Sequence, residues 1–194
     1  MIQTWLPQWL SADLSLISGF FTWIVVLSWL WRSGWKIQRR YFIEATQKPL
    51  TRNAIVWSAG IVGAIFFVAA QMRPGMPGVM TVAMIGALSA YVDARTHRLP
   101  NAYTVAMAIG VVLGLAVSGV ISPLWQERLF GALIGALIWF VPIALLNRLP
   151  GGMGGGDVKL GPVLGALVGS VGLHAAVFAL ALSFVSAGVA ALWK

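Results

Sequence analysis

Seven apolar runs, divided by short polar and basic punctuation, constrain what this chain can fold into more than any other feature. They cover approximately residues 14–31, 53–71, 77–92, 102–121, 129–146, 158–170 and 172–193. Runs near 20 apolar residues are what the roughly 30 Å hydrocarbon core of a bilayer selects. Each reads as helix, because an open strand in lipid would leave its backbone N–H and C=O groups unpaired. A membrane barrel would show alternating segments of about ten residues, and none is found. Only 9% of residues are charged, against about 25% in soluble domains. The predicted fold class is therefore all-α: a polytopic membrane helical bundle of about seven transmembrane segments. The sixth run is short, about 13 residues or roughly 20 Å of helix, so whether it fully crosses is left open.

The net charge of +8 belongs to the loops and not to a nucleic-acid face. Arg32, Lys36, Arg39, Arg40, Lys48 and Arg52 follow the first run, Arg95 and Arg98 follow the third, and Arg148 and Lys159 flank the start of the sixth. With Lys194, these fall on one side if the segments alternate; the other side receives only Arg73 and Arg128. By the positive-inside rule the basic side is cytoplasmic, which puts the N-terminus outside and the C-terminus inside. Trp5 and Trp9, Trp29, Trp31 and Trp35, and Trp125 and Trp193 sit where runs meet water, as an aromatic belt does. The first run ends in bulky residues without an A-x-A site, so it is expected to be a retained span and not a cleaved signal. With no cysteine, disulfides, thiolate metal sites and cysteine nucleophiles are excluded. His97 and His174 have no companion ligand in the sequence, so no metal is expected.

Five acidic residues remain to carry chemistry. Asp13, Glu44 and Glu127 lie in loops, where solvation accounts for them. Asp93 closes the third run, at a helix C-terminus where the dipole disfavours a carboxylate. Its plain alternative is an ion pair with Arg95 or Arg98. Asp157 follows Gly151-Gly152-Met153-Gly154-Gly155-Gly156 and opens the sixth run. An N-cap is its plain alternative, but so many glycines cost entropy to order, and they suggest backbone approaching a peptide or a facing helix closely. Both aspartates fall on the basic side, on segments able to face each other. Two converging carboxylates share one proton, so one can take a proton from water while the other polarises a peptide carbonyl.

The stretch Asp93-Ala94-Arg95-Thr96-His97-Arg98-Leu99-Pro100-Asn101, with Thr104 after it, resembles the first-aspartate motif of the type IV prepilin peptidase family. Gly154-Gly155-Gly156-Asp157-Val158-Lys159-Leu160 resembles that family's GxGD motif with its trailing lysine. The resemblance implies a GxGD intramembrane aspartic endopeptidase with Asp93 and Asp157 as the catalytic pair. Gly154, Gly155, Gly156, Lys159, Leu99, Pro100 and Asn101 would form the motif and substrate loops. Lys159 either holds the glycine loop or biases the proton on Asp157, or else anchors the basic side. Substrates would be type IV prepilins or pseudopilins of pili or type II secretion, cut behind a basic leader at the cytoplasmic face of a bacterial inner membrane. Membrane lipid is the other expected partner; no cofactor and no nucleic acid are implied. Longer family members also N-methylate the new terminus using S-adenosylmethionine, and they have a cytoplasmic insertion after the first span, often with paired CxxC motifs; here that place holds only the basic loop 32–52, without cysteine, so peptidase activity alone is expected, as in short Flp-type members. The chain divides into an N-terminal span and basic loop (1–52) and a six-span peptidase domain (53–194). A transporter or assembly factor handling protons is the alternative, but the mid-span residues are almost wholly apolar. A presenilin-like protease is a further one, and no Pro-Ala-Leu motif supports it.

Overall fold

A computed structural model describes residues 8–70, 75–150 and 153–192. Trp5, Arg73, Gly151, Gly152, Trp193 and Lys194 lie outside them, as does the side chain of Trp9. The described residues form helices and connections, with no strand. In order these are α1 (Gln8–Trp29), a π turn (Leu30–Gly34), α2 (Trp35–Glu44), α3 (Arg52–Ala69), α4 (Met76–Thr96), α5 (Asn101–Ile121), α6 (Trp125–Asn147), α7 (Gly155–Gly169) and α8 (Leu173–Leu192). Leu10–Glu44 as one piece, and α3, α4, α5 and α6, are each long and apolar enough to cross a bilayer. Residues Leu173–Val189 of α8 are a shorter apolar stretch, and α7 has 15 residues. Large apolar side chains stand exposed along these helices, Trp57 at 73% and Phe178 at 71%. A soluble protein would not tolerate so much exposed apolar surface, whereas lipid requires it. This is a multi-pass helical membrane protein.

The basic segment expected as a loop over 32–52 is helical to Glu44. No Gly or Pro interrupts it between Gly34 and Pro49. Gln38 and Phe42, one turn apart, bury one face of α2, and that packing holds the helix despite its charge.

The chain forms two compact units, one ending at Trp125 and the other beginning at Gln126. In the first, α4 is the central helix. Met76, Met80 and Met84 follow one another at i, i+4 on its buried face, with Met107 of α5 also fully buried. Gly110 and Gly114 let α5 lie against α4: a Cβ at Gly110 would strike the Thr81 side chain, and one at Gly114 would stand 2.8 Å from the Gly78 nitrogen. Together with buried Ser118 they form a face of small residues on α5, which lets two helices approach closely in lipid. Gly63 of α3 similarly accepts Trp23 of α1, whose ring stacks on Phe67.

In the second unit a glycine seam joins α6 to α7. Gly131 and Gly135 face Gly169 and Gly165, so that a Cβ on any of the four would collide with backbone of the other helix. Trp139 of α6 reaches α8, its indole N–H donating to the Ala176 carbonyl at 3.0 Å.

Candidate functional site

Asp93 lies half-buried in the last turn of α4. The helix ends at His97, which takes the left-handed conformation (φ 51°) and donates its backbone N–H to the Asp93 carbonyl at 2.7 Å. Thr96 is buried and gives its hydroxyl to the Val92 carbonyl at 2.8 Å. After Arg98 and half-buried Leu99, Pro100 is fully buried as the N-cap of α5. Its carbonyl accepts from the N–H of Tyr103 at 3.0 Å and of Thr104 at 3.3 Å. Proline suits this place because its fixed φ, −66° here, starts the helix and it brings no orphan donor. Asn101 is the exposed first residue of α5.

The two arginines that could have neutralised Asp93 are occupied elsewhere. Arg98 pairs with Glu44 at 2.6 Å, and Glu44 also holds Arg40 at 2.8 Å. The Arg95 guanidinium stands 5.7 Å over the Tyr91 ring. Among the described residues Asp93 has no ion pair. Ion pairing with Arg95 or Arg98, the plain explanation for an acid here, therefore does not apply.

Helices α1 and α2 brace this turn, a role the sequence did not signal. The π turn points the Gly34 carbonyl at α5, where the buried Tyr103 hydroxyl donates to it at 3.0 Å. Gln38, fully buried, donates to the Leu50 carbonyl at 3.0 Å and accepts from the Leu50 N–H at 3.3 Å, pinning the entry to α3. Gln47 donates to the Arg95 carbonyl at 2.8 Å.

Asp157 sits in the first turn of α7, two residues after the helix begins. Gly154 is the N-cap, its carbonyl accepting from the Asp157 N–H at 3.0 Å. The aspartate is therefore not the cap; it lies where the helix dipole favours a carboxylate. Asn147 at the end of α6 donates to the Met153 carbonyl at 2.5 Å and ties down the loop ahead of it. At two of the glycines before Asp157 nothing in the described residues packs closely: a Cβ at Gly155 would meet nothing within 4 Å, and one at Gly154 only the Asp157 carboxylate at 3.6 Å. The tight glycines lie further along α7, beginning with Gly161 against Ile143. Gly156 is half-buried and Lys159 is exposed.

Beside Asp157 opens a cavity of about 180 Å³, lined mostly by apolar side chains including Trp139, Ile143, Leu160, Leu164 and Phe184, with the Ser183 hydroxyl spent on the Ala179 carbonyl. Dry apolar cavities near 150 Å³ accept a benzene-sized group. These wall residues had no sequence signal beyond being apolar, because which faces of α6, α7 and α8 meet is a tertiary fact.

Residues 79–192 match the family described as the type IV leader peptidase family. The chain belongs to that family. Both aspartates, the Leu99-Pro100-Asn101 turn and the glycine loop lie within the matched residues. Over 128 residues the type IV leader peptidase family chain is 34% identical to the "Prepilin leader peptidase/N-methyltransferase" of Bacillus subtilis (strain 168). That match covers 62% of this chain and 48% of the relative, so the chain spans about half the length of the curated relative it matches. No solved structure matches.

Proposed function

We propose that the protein is an intramembrane aspartic endopeptidase that removes the basic leader of type IV prepilins or pseudopilins, with Asp93 and Asp157 as its two carboxylates. Family membership supports leader peptidase chemistry. The observation that carries the aspartate assignment is the state of Asp93: a half-buried carboxylate at a dipole-disfavoured helix end, while Arg95 and Arg98 engage Tyr91 and Glu44. A structural acid in so basic a setting would be paired; a catalytic one must keep its oxygens available.

In this mechanism the two carboxylates share one proton when substrate and water are bound. The ionised carboxylate takes a proton from water, and the water oxygen bonds to the carbonyl carbon. The protonated carboxyl gives its proton to the carbonyl oxygen. Collapse of the tetrahedral intermediate breaks the C–N bond, and the leaving nitrogen takes the proton held by the first carboxylate. The intermediate's hydroxyl proton returns to the second, restoring the pair. The apolar cavity beside Asp157 suits a side chain from the hydrophobic segment behind the cut. Leu99, Pro100 and Asn101 fix the turn behind Asp93, and the N-cap Gly154 with Gly155, Gly156 and Lys159 of the first turns of α7, helical where a loop was expected, form the surface a peptide would contact.

The reading further assigns the enzyme to a bacterial inner membrane, with its basic side cytoplasmic, and keeps residue 53 as the start of the peptidase domain. Methyl transfer is not part of it: the chain has no cysteine, and helix α2 occupies the place of the insertion.

Co-expression with a prepilin tests the reading. Wild type is expected to shorten the precursor, while Asp93→Asn and Asp157→Asn, at equal membrane abundance, leave it intact. Efficient cleavage by either variant removes that aspartate from the mechanism. Failure of wild type across several prepilins favours a proton-handling membrane protein instead.

A further inference from the structure

A second cavity, of about 360 Å³, lies in the first unit as a groove between α3 and α4. Ala54, Ser58 and Val62 line it from α3, and Ala87, Leu88 and Tyr91 from α4. The lining is apolar; the Ser58 hydroxyl is already spent on the Ile55 carbonyl at 3.0 Å. From Ala54 to Val62 the groove follows about two turns of helix, roughly 12 Å. One leaflet of hydrocarbon is about half of 30 Å. The groove therefore reaches about as deep as a single acyl chain's leaflet.

The groove is not an approach to Asp93. At about 100° per residue, Asp93 lies roughly 120–180° round α4 from the residues that line the groove. A segment lying there would be turned away from that carboxylate.

The mouth of the groove is cationic and lacks a counter-ion. Tyr91 stands there with the Arg95 guanidinium over its ring. The bond from Gln47 to the Arg95 carbonyl ties the Gln47–Leu50 segment to the end of α4, and this segment carries Lys48 while Leu50 lines the groove. Within the unit, Glu44 is committed to Arg40 and Arg98, Asp93 is on the opposite face of α4, and Asp13 is near the other end of the α1–α2 helix. Among the described residues neither Lys48 nor Arg95 has a carboxylate partner. An apolar slot of leaflet depth beneath an uncompensated pair of cations is complementary to a molecule with an acyl tail and an anionic head. Basic residues at a membrane surface attract such lipids.

We propose that this groove binds an anionic phospholipid, with one acyl chain lying between α3 and α4 and the headgroup phosphate held by Lys48 and Arg95. The delipidated full chain in micelles, offered equal amounts of phosphatidylglycerol and phosphatidylcholine, is examined by native mass spectrometry. Wild type is expected to retain one phosphatidylglycerol, preferred on the order of tenfold, as two surface cations allow. The double variant Lys48→Gln/Arg95→Gln keeps a lipid and loses the preference. Ala87→Phe, which fills the slot, loses the lipid whatever its head; if it does not fold, Ala54→Leu fills the opposite wall and carries the same expectation. Equal retention of both lipids by wild type, or a filled groove that binds as wild type does, overturns the proposal. So does a photo-crosslinker at position 87 that captures a second copy of the chain or a prepilin in place of lipid.

Discussion

Gly165→Ala adds one methyl group to α7 and is expected to destabilise the second unit, although alanine is the better helix former. The added Cβ would collide with the Gly135 carbonyl and stand 2.8 Å from both Cβ and Cγ of Trp139. Carbon atoms rest about 3.5–4.0 Å apart, so α6 must withdraw by roughly 0.7 Å or more. Neither obstacle is a flexible tip. One is backbone, and the other is the root of an indole whose N–H is held by Ala176. Overpacking of this kind costs about 1–3 kcal/mol, and the rigidity of both neighbours puts this case at the upper end. The intrinsic preference of alanine over glycine returns up to about 1 kcal/mol, which leaves a net loss near 2 kcal/mol. Gly188→Ala in α8 is the matched control: its Cβ would meet nothing within 4 Å, so only the propensity gain of up to about 1 kcal/mol applies. Reversible unfolding in mixed micelles, followed by far-ultraviolet circular dichroism, should separate the two variants by about 3 kcal/mol in opposite directions from wild type. If Gly165→Ala matches or exceeds wild type, the glycine seam is not what sets the α6–α7 distance. Because α7 carries Asp157, leader cleavage should fall with stability in Gly165→Ala and stay normal in Gly188→Ala.

Gln38→Leu keeps the bulk of a buried side chain but strands the N–H and C=O of Leu50; a loss of about 2–3 kcal/mol is expected in the same unfolding assay. Tyr103→Phe leaves the Gly34 carbonyl without its donor and should cost about 1 kcal/mol, with little change in packing. Thr104 has a buried hydroxyl with no hydrogen-bond partner among the described residues, so isosteric Thr104→Val should be neutral or stabilising by up to about 1 kcal/mol. A marked loss would instead reveal a buried water at that hydroxyl. Glu44→Gln breaks two exposed, solvent-screened ion pairs and should leave the unfolding transition close to that of wild type.

The spans were legible because lipid leaves helix as the only fate for a long apolar run: the run at 102–121 is the helix Asn101–Ile121, and that at 53–71 is Arg52–Ala69. The small-residue faces of α5 and α6 were legible for the same reason, since glycines at i, i+4 in a span have few other uses. The helical course of 35–44 was not, because Lys and Arg report polarity and not conformation. The spacing of Gln38 and Phe42 was the available sign. Nor could the sequence separate the two classes of glycine around Asp157. Gly155 stands in open space and Gly165 in a collision-tight seam, and the difference lies entirely in what packs opposite. The same limit hid Trp139, which in sequence is one more aromatic in an apolar run and in the fold bridges α6 to α8 while walling the cavity beside Asp157.

The bracing of the Asp93 turn gives the N-terminal helix a purpose that the sequence left open. A carboxylate at a helix C-terminus gains nothing from the dipole, and Asp93 gains nothing from an ion pair among the described residues, so its position must be held by neighbouring backbone. Two of the contacts that hold it run through backbone carbonyls: Tyr103 to Gly34 and Gln47 to Arg95. A third is the Glu44–Arg98 pair, which also draws away a cation that would otherwise compete for Asp93. All three originate on or just after the continuous helix that begins at Gln8. Gly34, the last residue of the π turn, supplies the carbonyl for the first of them. Helices α1 and α2 thus act on the proposed chemistry without contributing a reacting group. They hold the α4–α5 turn rigid and leave the one acid in it unneutralised.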